Sequence, residues 1–375
     1  MEIVYISKST IPSRAANSVH VIKMCHALAD NGNKVVLLAP NTKDEYDEKI
    51  KDIYNHYGVK KNFEIKKLWY PNIKGKDFFY TLAIFIYLLF KRKSNLIYGR
   101  FILGCYAASL LGYKVIFESH APIYKKKNIN QKIFKKLIKS KFFVKLVVIS
   151  KVLKNMYLDN GFLNNSKIEV NHDAADEVEN FKNTIHLFGD DKTLKIGYVG
   201  HLYKGRGIDV IVECASQIKD ATFHIVGGTK KDIEYWKNYI KPLKLNNIFF
   251  YGFVPPSETK KYNNSFDILL APYSSRVTVG GHDKLDTSKF MSPIKIFEYM
   301  SHKKAIIASD LPVLREVLSE KNSVLVEPTN IKDWTTAIEK LKDLTQREKI
   351  ANQAIVDFDK YTWKKRAEKV ISFNQ

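Results

Sequence analysis

The sequence predicts an α/β protein built from two doubly wound parallel-sheet domains in series. Three observations lead there. Short β-branched runs alternate with amphipathic stretches, the pattern of parallel strands joined by crossover helices. The alternation breaks once, near the middle of the chain, and then restarts. The length, 375 residues of which 45% are apolar, favours two cores over one.

In the first half, strands are expected at residues 2–7, 34–39, 63–68, 95–98, 114–118 and 145–149. Helices over 19–30 and 101–111 lie between them. Ser18 offers an N-cap to the first, and Gly32 and Gly112 follow the two ends. Residues 171–191 are acidic and polar, contain Gly189, and read as the approach to an interdomain linker. The second half resumes with strands at 194–199, 222–226, 248–251, 268–271 and 305–308, a helix from Ile208, and helices over 294–300 and 334–341. The expected domains are 1–180 and 192–358, with a closing helix in 359–375 packing back toward the first. No short-period repeat occurs. Ligands of such sheets bind outside the carboxyl ends of the strands, so two facing Rossmann-like sheets would form a cleft for them.

Composition excludes several classes. Aromatics at 13% argue against a disordered chain. Cys25, Cys105 and Cys214 are too few and too scattered for a disulfide framework or a cysteine zinc site, which suits a reducing cytoplasm. The chain opens MEIVYISKST, without the basic-then-apolar pattern of a secretory signal. The longest apolar run, residues 78–90, is shorter than the ~20 residues of a spanning helix, so a buried or interfacial helix is expected. The net charge is +22, and residues 121–158 contain no acid while carrying lysines from Lys125 to Lys154. Within them IFKKLIKSKFF places Ile133, Phe134, Leu137, Ile138 and Phe142 on one helical face and Lys132, Lys135, Lys136 and Lys139 on the other. Either a solvated domain helix or an interfacial helix on anionic lipid fits, and the charge excess favours lipid. A nucleic-acid binder is the reading from charge alone. It lacks a recognition motif and aromatics interleaved with the basic run.

The sharpest motif is MSPIKIFEYM, residues 291–300, followed by SHKKAIIASD. Others are IGYVGHLYKGRGIDVIVECA, FFYGFVPPSETKKYNNSFDILLAPY, VNHDAADEVENF and YTWKKRAEKVISF, and in the first half PSRAANSVHVIKMCHALADNGNKVVLLAP, IFESHAP and LVVISKVLKNM. In order and spacing these resemble glycosyltransferase family 4, the retaining enzymes of the two-domain GT-B fold that include bacterial surface-polysaccharide glycosyltransferases. The resemblance spans nearly the whole chain.

That resemblance implies transfer of a sugar from a nucleotide-diphosphate sugar to a saccharide or lipid-linked acceptor. A departing diphosphate needs cations and helix N-terminal amides. Arg206 fills the place of the family's phosphate-binding lysine, with Gly200 in the turn before it, while His201 replaces the family's arginine. Met291 and Ser292 precede a helix whose first amides would face phosphate, and Lys295 sits in its first turn, where a cation opposes the helix dipole unless an anion shares the site. Glu298 lies on the same face as Lys295. A local salt bridge is one reading; the resemblance assigns Glu298 to the ribose hydroxyls. Val254 falls in the nucleotide-base segment. His120, after the strand 114–118, matches the family's histidine beside the reacting sugar. One position departs: the family's first motif glutamate is Phe290 here, and Asp286 is the nearest acid in the same loop. No Asp-x-Asp pair lies in a plausible loop, so a metal-independent reaction is expected, without a cofactor, at the cytoplasmic face of a membrane. A nucleotide-sugar epimerase of the same fold is the alternative enzyme.

Overall fold

The computed structural model describes residues 1–42, 50–91, 96–123, 129–278 and 286–372. Lys125, Lys126 and Lys127 of the basic run lie outside them. The chain divides into two compact units, Met1–Asp173 with Trp363–Gln375, and Ala174–Thr362.

Unit 1 runs β1 (Glu2–Ile6), α1 (Ala16–Asp30), β2 (Lys34–Pro40), α2 (Ile53–Tyr57), β3 (Glu64–Leu68), α3 (Lys76–Phe90), β4 (Leu96–Gly99), α4 (Ile102–Leu110), β5 (Val115–Ser119), α5 (Ile129–Ile138), β6 (Phe143–Val148), α6 (Lys151–Asp159) and β7 (Ile168–Val170). The strands form one parallel sheet in the order β3-β2-β1-β4-β5-β6-β7. β1, β2, β4 and β5 are buried almost throughout, which is why they read as continuous apolar runs. Ser18 is not a cap. The helix begins two residues earlier, and the Ser18 hydroxyl donates to the Ser13 and Ala15 carbonyls while accepting from Tyr57. Gly32 and Gly112 do follow their helices in the left-handed conformation.

Unit 2 runs β8 (Leu194–Val199), α7 (Ile208–Gln217), β9 (Ala221–Val226), α8 (Lys230–Ile240), β10 (Ile248–Gly252), α9 (Thr259–Ser265), β11 (Ile268–Ala271), α10 (Ile294–Ser301), β12 (Ala305–Ser309), β13 (Val324–Val326), α11 (Ile331–Lys340) and α12 (Leu344–Phe358). Its parallel sheet is ordered β10-β9-β8-β11-β12-β13, with an apolar core on each face. The last helix, α13 (Trp363–Ile371), belongs to unit 1, where it packs on α1. Both sheets are thus doubly wound, reversing between β1 and β4 and between β8 and β11. Crevices at those reversals, at the carboxyl ends, are where such sheets take ligands.

The three cysteines are free and buried. No helix among the described residues is long and apolar enough to cross a membrane. The amphipathic segment of the basic run becomes α5. Its apolar face is already occupied, with Phe134 and Leu137 fully buried and Phe134 packed against Phe117, Tyr157 and Phe162. Lys132, Lys135, Lys136 and Lys139 are exposed. This corrects the interfacial reading of the segment: it is a domain helix with a solvated lysine face.

Candidate functional site

Unit 2 gathers most of the sequence-predicted residues at the reversal between β8 and β11. β8 ends at Val199, and Gly200 turns the chain with φ 153°. A side chain there would put its Cβ 2.7 Å from Lys295 Nζ, so the missing side chain is what lets the lysine lie against the turn. At Gly207, φ is 75° and a Cβ would stand 1.7 Å from the Pro272 carbonyl. That close approach ties the start of α7 to the segment after β11 and sets Arg206 beside it.

Two cations share this place. The Arg206 guanidinium lies over the Tyr203 and Tyr273 rings, 5.0 and 5.5 Å from their centroids, and donates to the Tyr203 hydroxyl at 3.1 Å. Its Nε is buried without a hydrogen-bond partner among the described residues. Lys295 Nζ sits 3.7 Å from the Tyr198 ring centroid and 5.4 Å from that of Tyr273. Burial, and then the Arg206 cation, hold Lys295 well below the usual amine range, with Glu298 opposing. Neither cation forms an ion pair among the described residues. The tyrosine faces lie against both cations, and cation–π contact is a modest substitute for a counterion.

Lys295 and Glu298 therefore do not make the local salt bridge that their spacing permits. Glu298 is partly buried, and its backbone carbonyl accepts from His302 Nδ1 at 2.6 Å. The helix α10 is anchored from behind by Tyr299, whose hydroxyl accepts from the Val199 amide at 3.0 Å. Pro293 is the N-cap of α10, one position before the first turn, and no side chain caps the helix. The expectation that the Met291 amide faces a ligand needs correction, because that amide donates to the Thr287 carbonyl at 2.9 Å. Met291 and Ser292 are both buried. Val254 is partly buried against the core cluster that holds Tyr299. His201 stacks on Tyr203 at 5.0 Å. Phe290 is buried at the position of the family's first glutamate. Asp286 Oδ1 accepts from the Val277 and Ser288 amides at 3.1 and 2.9 Å, which ties down its own loop.

The tyrosine cradle of Tyr198, Tyr203 and Tyr273 escaped sequence reasoning. Its signal was present, since each tyrosine lies at or just beyond a strand's carboxyl end inside a quoted motif.

In unit 1, His120 follows β5. It sits in a cluster of charged groups that are largely buried. His120 Nε2 hydrogen-bonds Glu118 Oε1. His20, from α1, places Nε2 2.9 Å from the same oxygen and Nδ1 2.7 Å from Asp173 Oδ1, and its ring meets that of His120 edge-on at 4.7 Å. Arg366, from α13, grips Glu118 with Nη2 at 3.1 Å from Oε1 and Nη1 at 3.4 Å from Oε2, and donates to the His172 and Asn171 carbonyls. Burial would raise the Glu118 carboxyl, but Arg366, His20 and His120 more than offset it and hold it well below the usual range. Burial, then the Arg100 cation, push His120 down to about 4. His20, His120 and Asp173 have ligand atoms within 4.8 Å of one another, close enough for a metal. Both His20 nitrogens and His120 Nε2 are, however, already turned on the two carboxylates.

Comparison with known proteins follows the same two-part division. Residues 18–177 match the model "Glycosyltransferase Family 4", and residues 193–343 match "Glycosyl transferases group 1". A Bacillus subtilis protein provisionally named teichuronic acid biosynthesis glycosyltransferase TuaH is 25% identical over 148 residues. That match spans 39% of this chain and only 34% of the relative. Among solved structures, Anabaena HepE in complex with UDP superposes with a TM-score of 0.73 at 13% identity, over 99% of this chain and 98% of its own. Sucrose-phosphate synthase from Thermosynechococcus elongatus gives 0.71 at 14% identity, over 98% and 96%. At such identities the likeness establishes the GT-B fold.

Proposed function

The chain belongs to the family-4 glycosyltransferases, and from that premise we propose that it moves a sugar, with retention, from a nucleotide-diphosphate sugar to a saccharide or lipid-linked acceptor in cell-surface polysaccharide synthesis. The observation that carries the donor assignment is the pair of cations, Arg206 and Lys295, held on tyrosine faces with no ion pair to either among the described residues. A diphosphate supplies that anion. It would take the Arg206 Nε and guanidinium edge and the Lys295 ammonium, with the uncapped start of α10 adding its amides. Glu298 is assigned to the ribose diol, for which a carboxylate is a paired acceptor. His120 is assigned to a hydroxyl of the transferred sugar. HepE structures with UDP-glucose, and with UDP and glucose, are consistent with such a donor, and the name of TuaH is consistent with a surface-polymer product.

In the reaction proposed, the bond from the anomeric carbon to the phosphate oxygen breaks as the bond to the acceptor oxygen forms on the same face. The acceptor's proton passes to the departing phosphate. Arg206 and Lys295 stabilise the charge that collects on the leaving group, and cationic side chains serve where a metal would otherwise be needed. The enzyme is proposed to work at the inner face of an anionic membrane.

A thermal-shift panel of nucleotide sugars identifies the donor, and NMR of the product reads the anomeric configuration. Stabilisation by one nucleoside diphosphate family and a product of the donor's configuration are expected. An inverted product overturns retention. Conversion of the donor without any acceptor selects the epimerase.

A further inference from the structure

We propose that the outward face of α3 enters the surface of an anionic membrane and seats unit 1 there; this rests on the reading of a membrane-held acceptor and names the surface responsible. The helix Lys76–Phe90 carries Lys76 and Asp77 in its first turn and then thirteen residues without a charge. One face packs on the domain through Tyr80, Ile84 and Leu88, all buried. The opposite face is equally apolar and is exposed: Phe78 at 66%, Leu82 at 41%, Ile86 at 46%, Leu89 at 57% and Phe90 at 83%. These recur every three or four residues, so they form one stripe along the helix. Trp69 and Ile73 are exposed in the segment leading into it, and the Trp69 ring meets Phe79 at 5.1 Å. A helix that is apolar all round is ordinarily buried all round. This one lacks a covering layer among the described residues.

Charge selects the occupant. Asp77, the one acid of the helix, is taken by Lys8 at 2.6 Å and by the Tyr70 hydroxyl at 3.0 Å. Lys67, Lys74 and Lys76 stand exposed around the Trp69 end. An apolar face rimmed by lysines fits a bilayer with anionic headgroups, where the stripe enters the acyl boundary and the ammonium groups stay at headgroup level. A second copy of this chain would bring the same lysines and the same net charge of +22 against them. Fifteen residues rise only about 22 Å, short of the ~30 Å hydrocarbon layer, so the helix lies in the surface.

The test uses the full chain with vesicles of phosphatidylcholine alone or mixed with phosphatidylglycerol. Trp334 and Trp363 are buried and Trp236 is partly buried, so Trp69 is the residue whose emission reports insertion. Co-sedimentation with anionic vesicles and a blue shift of Trp69 emission are expected, both weaker on phosphatidylcholine. The variant Leu82→Gln, Ile86→Gln, Phe90→Gln alters exposed positions only. It should lose the blue shift and at least about tenfold in vesicle partitioning, the loss set by three apolar side chains kept from the acyl boundary. Equal vesicle binding by wild type and variant overturns the α3 assignment while leaving membrane attachment intact. Failure of the wild type to bind any vesicle at low salt overturns the membrane reading, and sugar transfer to a soluble acceptor then stands separately. A concentration-dependent dimer that the variant abolishes would make a second copy the occupant and overturn the proposal.

Discussion

Replacing Lys295 by methionine should do two things that a structural lysine would not. Methionine keeps the apolar contact with the Tyr198 ring, where Nζ now lies 3.7 Å from the centroid. The charge goes, and with it a conflict with Arg206. Lys295 is held well below the ordinary amine range by burial and then by Arg206. The unfolded chain therefore binds that proton more tightly than the folded one, and the penalty on folding applies throughout the neutral range, below the unfolded amine's pKa. Removing the charge removes that penalty, so the variant without bound nucleotide should melt above the wild type. Turnover should fall the other way. Loss of one preorganised contact to the leaving phosphate costs about 3–4 kcal/mol, some hundredfold or more in kcat. Differential scanning of the apo protein and steady-state kinetics with the preferred donor measure both. The stabilisation that a nucleoside diphosphate gives the wild type should also shrink. A variant that melts lower and turns over normally would refute the reasoning, because Lys295 would then be a strut for the Tyr198 turn and the anion would bind elsewhere.

Three further outcomes are expected. Glu298→Gln should weaken nucleotide binding in calorimetry while leaving the melting temperature unchanged; unchanged affinity would remove it from the ribose. Arg366→Met should destabilise unit 1 by about 3–5 kcal/mol, since it strands the Glu118 carboxylate in the interior, and adding Glu118→Leu should recover part of the loss in a double-mutant cycle. Acid should weaken the fold early. His120, His224 and His302 each sit at about 4, chiefly through burial, so between about pH 6.5 and 4 the unfolded chain takes up protons that the folded one refuses. Stability then falls with acid by up to about 1.4 kcal/mol per pH unit for each histidine, and a melting temperature flat across that window would contradict the assignment.

How far the fold could be read from the sequence depended on how local each signal was. The central strands β1, β2, β8, β11 and β12 are buried on both faces, and their continuous apolar runs match the strands expected at 2–7, 34–39, 194–199, 268–271 and 305–308. The edge strands β7 and β13 were missed, because three residues of mixed exposure leave too little pattern. The basic run misled for a different reason. Helical spacing reveals that α5 has an apolar face but not what that face meets, and here it meets Phe117 and Tyr157. The same limit hid α3, whose apolar run was legible while its exposure was not. In the candidate site, Lys295 and Glu298 share a motif, and the motif marked both. Lys295 and Arg206 instead lie against Tyr198, Tyr203 and Tyr273, which come from two separate stretches of chain, and the motif alone could not show that.

The polar cluster of unit 1 bears on what His120 can do. Arg366 lies 248 residues from Glu118 in sequence and is brought to it by α13. Without that guanidinium, Glu118 would be a buried carboxylate facing two imidazoles. An adjacent anion favours the charged ring, and Glu118 pulls His120 in that direction. Arg366 takes up both Glu118 oxygens, while burial, and then the Arg100 cation, outweigh the pull of Glu118 and hold His120 down to about 4. The ring is then neutral near neutral pH, with its Nε2 proton committed to Glu118. That leaves Nδ1, which has no hydrogen bond among the described residues, as an acceptor. A neutral acceptor suits a sugar hydroxyl, which donates a proton in the hydrogen bond, whereas an imidazolium would suit the phosphate. A neutral His120 is thus suited to the proposed contact with a sugar hydroxyl.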